Sequence, residues 1–237
     1  MTHPTRREFV KTGALVTGGL VIAFAAPGAR RLAWAEPTPG RSPFAPNAFL
    51  RVGNDDTVTV LLAHSEMGQG IWTALPMLIA EELDADWSRI KVEHAPAAPA
   101  YAHTMFGIQM TGGSTSTWSE FERYRQAGAL ARALLVQAAA QRFGVSPADC
   151  RTENGVVIAG SRRARYGELA DAAAKLPAPK TVPLKDPKNW KIIGKPTRRL
   201  DTPEKITGRA TFGMDVQFDG LLTAVVARAP AFGAKVT

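Results

Sequence analysis

The sequence predicts an α+β fold, and three observations carry that prediction. Two short β-branched apolar runs, residues 49–52 and 57–62, flank the turn sequence Gly53-Asn54-Asp55-Asp56. Two glycine loops, Glu66-Met67-Gly68-Gln69-Gly70 and Thr111-Gly112-Gly113-Ser114-Thr115-Ser116-Thr117, each stand directly before a segment of helical composition. After the second loop, Trp118, Phe121, Tyr124, Gly128, Ala131, Leu134, Leu135 and Ala138 recur at three- and four-residue steps, the spacing of one helix face.

At the N-terminus, Thr5-Arg6-Arg7-Glu8-Phe9-Val10-Lys11 makes a nearly complete twin-arginine export motif. Residues 12–26 are apolar and studded with glycine, too short and too weakly hydrophobic for a comfortable membrane span. Ala33-Trp34-Ala35 offers a cleavage site before Glu36. Residues 1–35 are therefore expected to be a signal peptide, with an uncleaved N-terminal anchor as the alternative, and 36–47 a Pro-rich leader. The expected destination is the periplasm or the outer face of the cytoplasmic membrane.

Residues 1–35 hold five of the 29 basic and one of the 21 acidic side chains, so the formal charge of +8 falls to +4 without them. That mild excess, with no basic runs interleaved with aromatics, gives little support to nucleic-acid binding, and no nucleic-acid partner is expected. The single cysteine, Cys150, excludes an internal disulfide and an iron–sulfur cluster held by this chain alone.

The elements follow in order. Residues 72–83 read as a helix, with Pro76 placed in its first turn, and residues 90–93 as a short strand. Residues 117–143 read as one long helix, with Thr117 as N-cap and Glu120 completing a capping box. Arg123, Arg125, Arg132 and Arg142 fall mainly off its apolar stripe and are expected on solvated faces. Gly144 stops the helix, and 146–149 start a helical turn. Strands at 151–153 and 156–158 are predicted to pair across Asn154-Gly155, with Cys150 beside them as a packing residue. A helix over 166–176, a Pro/Lys linker over 177–189 and a β-rich segment from Trp190 complete the chain.

The loops are where chemistry concentrates. Glycine allows a sharp turn and close approach to a ligand, and a helix N-terminus presents unpaired N–H donors and partial positive charge. Two such loops in one domain point to an anionic ligand gripped by backbone and hydroxyls. No Walker-type phosphate loop, dinucleotide fingerprint or nucleophile elbow is present. His64, His94 and His103 lack metal-ligand spacing, and Glu66 is expected to be a solvated carboxylate beside a turn.

The pair of loops resembles the molybdopterin-binding segments of the xanthine dehydrogenase and aldehyde oxidase family, and most nearly its isoquinoline 1-oxidoreductase type of large subunit. Arg199-Leu200-Asp201-Thr202-Pro203-Glu204-Lys205-Ile206-Thr207-Gly208-Arg209-Ala210 and Thr211-Phe212-Gly213-Met214-Asp215-Val216 resemble the opening of that family's hammerhead domain, with residues 221–228 as its next strand. Here a glycine-loop segment precedes the hammerhead, as in the isoquinoline type and unlike xanthine dehydrogenases proper.

The resemblance implies a molybdopterin-binding α/β segment over 48–176, a linker over 177–189 and the start of a hammerhead over 190–237. It implies that Met67, Gly68, Gln69 and Gly70 lie against the pterin of a molybdenum cofactor in its cytosine dinucleotide form. Gly112, Gly113, Ser114, Ser116 and Thr117 would hold the phosphate end. The implied reaction hydroxylates an aldehyde carbon or a carbon next to nitrogen in a heterocycle, with water as oxygen source. Its glutamate base belongs near the C-terminus of a longer polypeptide, so no residue of this chain is assigned as catalytic and none as a metal ligand. Implied partners are a [2Fe-2S] small subunit and a cytochrome c acceptor. The alternative is a non-catalytic exported remnant or split chain that binds only cofactor or a partner subunit. If Arg6 and Arg7 direct export, replacing both by lysine leaves the precursor in the cytoplasm. Fractionation showing normal export of the double variant would contradict the motif.

Overall fold

The computed structural model describes residues 19–23 and 48–234. The twin-arginine motif, the expected cleavage site and the leader lie outside them. A four-stranded sheet in the order β1-β2-β3-β4 is formed by Gly19–Ala23, Ala48–Gly53, Val58–Leu62 and Ile90–His94. The β2–β3 hairpin closes as expected, with Val52 facing Val58 and Leu50 facing Val60. Its turn is held by Asp55, whose carboxylate accepts the Thr57 backbone N–H at 3.0 Å and the Thr57 hydroxyl at 2.8 Å. β1 pairs antiparallel with β2, Gly19 facing Gly53. The composition of that stretch, read as part of an export signal, did not suggest the pairing.

β4 runs parallel to β3, so a crossover must join them. Helix α1 (Ile71–Leu83) supplies it. Pro76 lies inside α1 and not in its first turn, so the helix forgoes one backbone hydrogen bond there. The expected single helix from Thr117 is two: α2 (Thr115–Trp118) and α3 (Phe121–Phe143). No capping box forms. Glu120 turns inward instead and is fully buried, its Oε1 lying 3.4 Å from His64 Nε2 and 3.5 Å from Arg123. Trp118 is consequently exposed, and the buried stripe runs through Tyr124, Ala127, Ala131, Leu134, Leu135 and Ala138.

α1 and α3 approach closely at Gly128. A Cβ built there would stand 2.5 Å from the Ile79 carbonyl oxygen and 3.0 Å from Glu82 Cβ. Tyr124 crosses from α3 to the sheet, its hydroxyl donating to the Leu61 carbonyl at 2.7 Å and accepting from the Ala63 N–H at 3.2 Å. Phe49 packs edge-on against Tyr101 and Tyr124, with centroids 5.2 and 5.7 Å away. Arg123 and Arg125 are not solvated as expected. Arg125 is buried and paired to Glu82 at 2.8 Å, and Arg123 lies over the Phe49 ring. Their neighbours on α1 and β2 impose this, and the α3 sequence alone does not carry those neighbours.

Gly144, at φ 65°, ends α3. β5 (Arg151–Glu153) and β6 (Val156–Ala159) pair across Asn154 and Gly155, both at positive φ. A further strand, β7 (Arg162–Arg165), adds to β6 and was missed because its sequence is three arginines and one alanine. Only Ala164 is buried in it. α4 (Tyr166–Ala173) follows, and the Tyr166 hydroxyl donates to the Leu83 carbonyl at 2.6 Å.

The segment over 174–200 holds short turns, among them Pro187–Asn189, and no strand or longer helix, yet it is fastened to α1. Glu81 Oε2 accepts the backbone N–H groups of Lys191, Ile192 and Ile193 at 2.8, 2.6 and 3.2 Å. Glu82 Oε2 accepts the Lys185 N–H at 3.0 Å, and Lys185 Nζ pairs with Asp84 at 2.7 Å. The chain divides after Leu200 into two compact units. The second, residues 201–237, contains α5 (Thr202–Ile206). The strand expected over 221–228 is not formed, and Leu222, Val225 and Val226 are exposed. An extended run becomes a strand only when another strand takes its N–H and C=O groups, and none does so among the described residues.

Two outcomes follow from this packing. Gly128→Ala improves intrinsic helix propensity by about 1 kcal/mol, but its methyl meets backbone that cannot yield. A net destabilisation of about 1–3 kcal/mol is expected, read as a lower urea midpoint at unchanged slope. Burial opposes ionisation of Glu81, but the N–H donors of Ile192 and Ile193, Lys185 and the Lys191 N–H outweigh it and hold the carboxyl below its ordinary 4.5. A lowered folded pKa stabilises the fold above 4.5, and that contribution is lost as pH falls through the folded value. Amide protection of Ile192 and Ile193 should therefore collapse in acid in the native protein and be weak at every pH in Glu81→Gln.

Candidate functional site

Both glycine loops leave the same end of the α/β layer, and direct bonds tie them together. The Ser65 N–H donates to Thr111 Oγ1 at 2.9 Å, and Gln109 Nε2 donates to the Ala63 carbonyl at 3.2 Å. Between them lies a cleft of about 490 Å³ lined by Ala63, His64, Ser65, Met67, Gln109 and Thr111, among others. Of the nine residues expected to hold the cofactor, Met67 alone lines this cleft, beside His64, His94 and Thr111. Gly112, Gly113 and Ser114 continue outward from its rim at Thr111.

The N–H donors of Met67, Gly68, Gly70 and Trp72 are taken up within the first loop, which corrects the expectation that they are open to an anion. Glu66 Oε1 accepts from the N–H of Gly68 at 2.8 Å and of Gly70 at 3.0 Å, while Oε2 accepts from Trp72 at 2.8 Å. A carboxylate of the chain itself thus occupies the positive N-terminus of α1. Glu66 is accordingly not solvated; its side chain is 9% exposed. Burial disfavours its charge, but the Trp72, Gly70 and Gly68 donors and nearby Arg199 prevail and hold the carboxyl below the ordinary range. Gln69 closes the loop from the other side, donating to the Ser65 carbonyl at 2.8 Å and accepting from the Met67 N–H at 2.6 Å. Gly68 and Gly70 take φ of 102° and 95°, and nothing stands within 4 Å of a Cβ on either. Together with Met67, which is 68% exposed, they present a bare backbone surface.

The second loop is arranged differently. Thr115 Oγ1 donates to the Gly112 carbonyl at 2.7 Å, and Ser114 adopts the left-handed conformation ahead of α2 without a side-chain capping bond. Gly113, Ser114 and Thr117 are exposed, whereas Ser116 is buried at 6%. Two of the three singled-out hydroxyls therefore face outward.

A buried polar floor lies behind the loops, which the spacing of its histidines in the sequence does not reveal. His64 contacts Glu120, and the His64 and His103 rings stand edge-to-face at 6.5 Å. His103 Nδ1 accepts the Met105 and Phe106 N–H groups at 3.0 and 3.3 Å, which assigns its proton to Nε2. Its ring also packs against Phe106 and Trp118. Only the tertiary meeting of β3, the 101–110 segment and α3 assembles this group. One rim with open glycine backbone, one with outward hydroxyls and a cleft between them suit a flat ligand carrying an anionic end.

Residues 12–228 match the family model described as the molybdopterin cofactor-binding domain. The chain is 36% identical over 270 residues to the beta subunit of isoquinoline 1-oxidoreductase of Brevundimonas diminuta, covering 97% of this chain and 35% of that protein. It is 31% identical over 247 residues to a membrane-bound aldehyde dehydrogenase [pyrroloquinoline-quinone] of Gluconacetobacter polyoxogenes, with 98% and 30% covered. It is 31% identical over 192 residues to the B subunit of nicotinate dehydrogenase of Pseudomonas putida, with 78% and 15% covered. The chain thus spans about a third or less of the length of these relatives. With a match running through both glycine loops and nearly the whole sequence, the chain belongs to the molybdopterin cofactor-binding domain family.

Proposed function

We propose that this chain is the N-terminal part of the large subunit of an exported molybdenum hydroxylase that oxidises aldehydes or N-heterocycles with water as oxygen source. The observation that carries the reading is the family match over 12–228, together with the bond that brings the two loops to one cleft. Two of the relatives are named as subunits, which supports a multi-subunit assembly. A [2Fe-2S] small subunit is the proposed electron outlet, with a cytochrome c as acceptor beyond it. The twin-arginine motif supports the periplasm, or the outer membrane face, as the working compartment.

The residues present fit a molybdopterin cofactor in a divided way. Gly112, Gly113 and the outward hydroxyls of Ser114 and Thr117 suit its phosphate end, in the cytosine dinucleotide form. Met67, Gly68, Gln69 and Gly70 suit the pterin face through close backbone approach, since nothing stands within 4 Å of a Cβ at Gly68 or Gly70, while the N–H groups of these two glycines are already bonded to Glu66. When bound, the cofactor supplies a redox-active metal that takes two electrons from the substrate carbon. The role of this chain is to hold the cofactor and to shield one side of it from water.

The relative named for pyrroloquinoline quinone supports a second reading, in which the same cleft takes a polyanionic tricyclic quinone. The test uses the complete large subunit expressed with molybdenum-cofactor biosynthesis. Gly68 is a poor probe, since any side chain at φ 102° strains the backbone. Gly112 has an unstrained φ, and a Cβ there would meet only Met110 Cε at 3.7 Å. Gly112→Leu should therefore keep the fold and lose at least about tenfold in bound molybdenum and releasable cytosine nucleotide, roughly the 1.4 kcal/mol of one order of magnitude in affinity. Full molybdenum in the variant would remove the second loop from the site, and quinone absorbance without molybdenum in the parent protein would select the second reading.

A further inference from the structure

We propose that Arg199 is a positioning residue for the first glycine loop, delivered to it by a strap, residues 185–200, that runs back along α1. The proposal rests on the reading that this loop faces the cofactor. The strap is fixed near the C-terminal end of α1 by Glu81 and Glu82, through the Lys185, Lys191, Ile192 and Ile193 N–H groups. It is fixed again at the other end of α1, where the Leu200 N–H donates to Thr73 Oγ1 at 2.9 Å. Between the two anchors it places Arg199 beside the loop. One guanidinium nitrogen donates to the Gly68 carbonyl at 3.2 Å, and the other lies 3.4 Å from Glu66 Oε1.

These two contacts address what the loop cannot settle alone. Glu66 gathers the Gly68, Gly70 and Trp72 N–H groups onto one carboxylate, and a negative charge partly withdrawn from water is favoured further by an opposite charge beside it. Arg199 supplies the opposite charge. The Gly68 carbonyl follows a glycine at φ 102°, where the backbone has wide conformational freedom. A donor that holds this oxygen selects one orientation of the Gly68–Gln69 peptide and so fixes the surface offered at Met67 and Gly70. The planar fork of arginine reaches both acceptors at once, which the point charge of lysine does not.

Amide hydrogen exchange on the full chain tests this without a bound cofactor. Arg199→Gln should speed exchange at Gly68, Gly70 and Trp72 roughly tenfold while leaving the β3 amides unchanged, the signature of local opening. Arg199→Lys should restore part of the protection. Glu81→Gln, which slackens the strap far from the loop, should raise exchange at the same three amides by a smaller factor. Unchanged loop exchange in Arg199→Gln, or equal acceleration in β3, would overturn the proposal. Molybdenum content of the Arg199→Gln large subunit separates the two readings. Faster loop exchange with unchanged molybdenum would uphold the clamp and remove the first loop from the cofactor site.

Discussion

The close approach of α1 and α3 at Gly128 is the constraint on which the other features depend. With no side chain at that position, the two helix backbones come near enough for Arg125 to reach Glu82 and for Tyr124 to span to β3. Helix α1 thereby becomes the hub of the described structure. Its N-terminus carries the first loop, its flank packs on α3, and its C-terminal turn carries Glu81 and Glu82, which bind the strap. A helix with adjacent acids at 1% and 0% exposure is costly unless each oxygen is met by donors. Here backbone N–H groups, Arg125 and Lys185 meet them, so an irregular chain segment completes a helical core.

The two loops solve the same backbone problem in opposite ways. Helix N-termini need an acceptor, and in the first loop Glu66 is that acceptor. Its carboxylate turns a glycine-rich stretch into a rigid wall at the cost of its capacity to bind an outside anion. In the second loop Thr115 bonds back to Gly112, and Ser114 and Thr117 remain exposed. Rigidity on one side and available hydroxyls on the other divide the work of holding a large ligand. The pair Ser65–Thr111 keeps both sides in register with the cleft, and the His64–Glu120 contact behind them ties the floor to α3.

Local features were legible in the sequence wherever neighbouring residues decide the structure. The β2–β3 hairpin follows from its β-branched runs and Asp55 turn, and the β5–β6 hairpin from Asn154-Gly155. The extents of α1 and of most of α3 follow from composition and from Gly144. The placement of both glycine loops before helices was readable for the same reason. Legibility ended where distant residues compete with local preference. A Thr117–Glu120 capping box is a sound local solution, but a buried Glu120 facing His64 and Arg123 displaced it and broke the helix. β7 carries almost no hydrophobic signal, since it needs only β6 beside it and one buried alanine.

The sequence by itself determined the class of fold, the family and the two segments that border the cleft, because motif, turn chemistry and periodicity are all short-range properties. The tertiary structure alone decided what those segments do. It spent the Gly68, Gly70 and Trp72 N–H donors on Glu66, turned Ser116 inward and placed Arg199, 131 residues away in sequence, on the Gly68 carbonyl. Whether a donor is free or a charge is solvated depends on which groups the folded chain brings within about 3 Å of it, and that information is long-range.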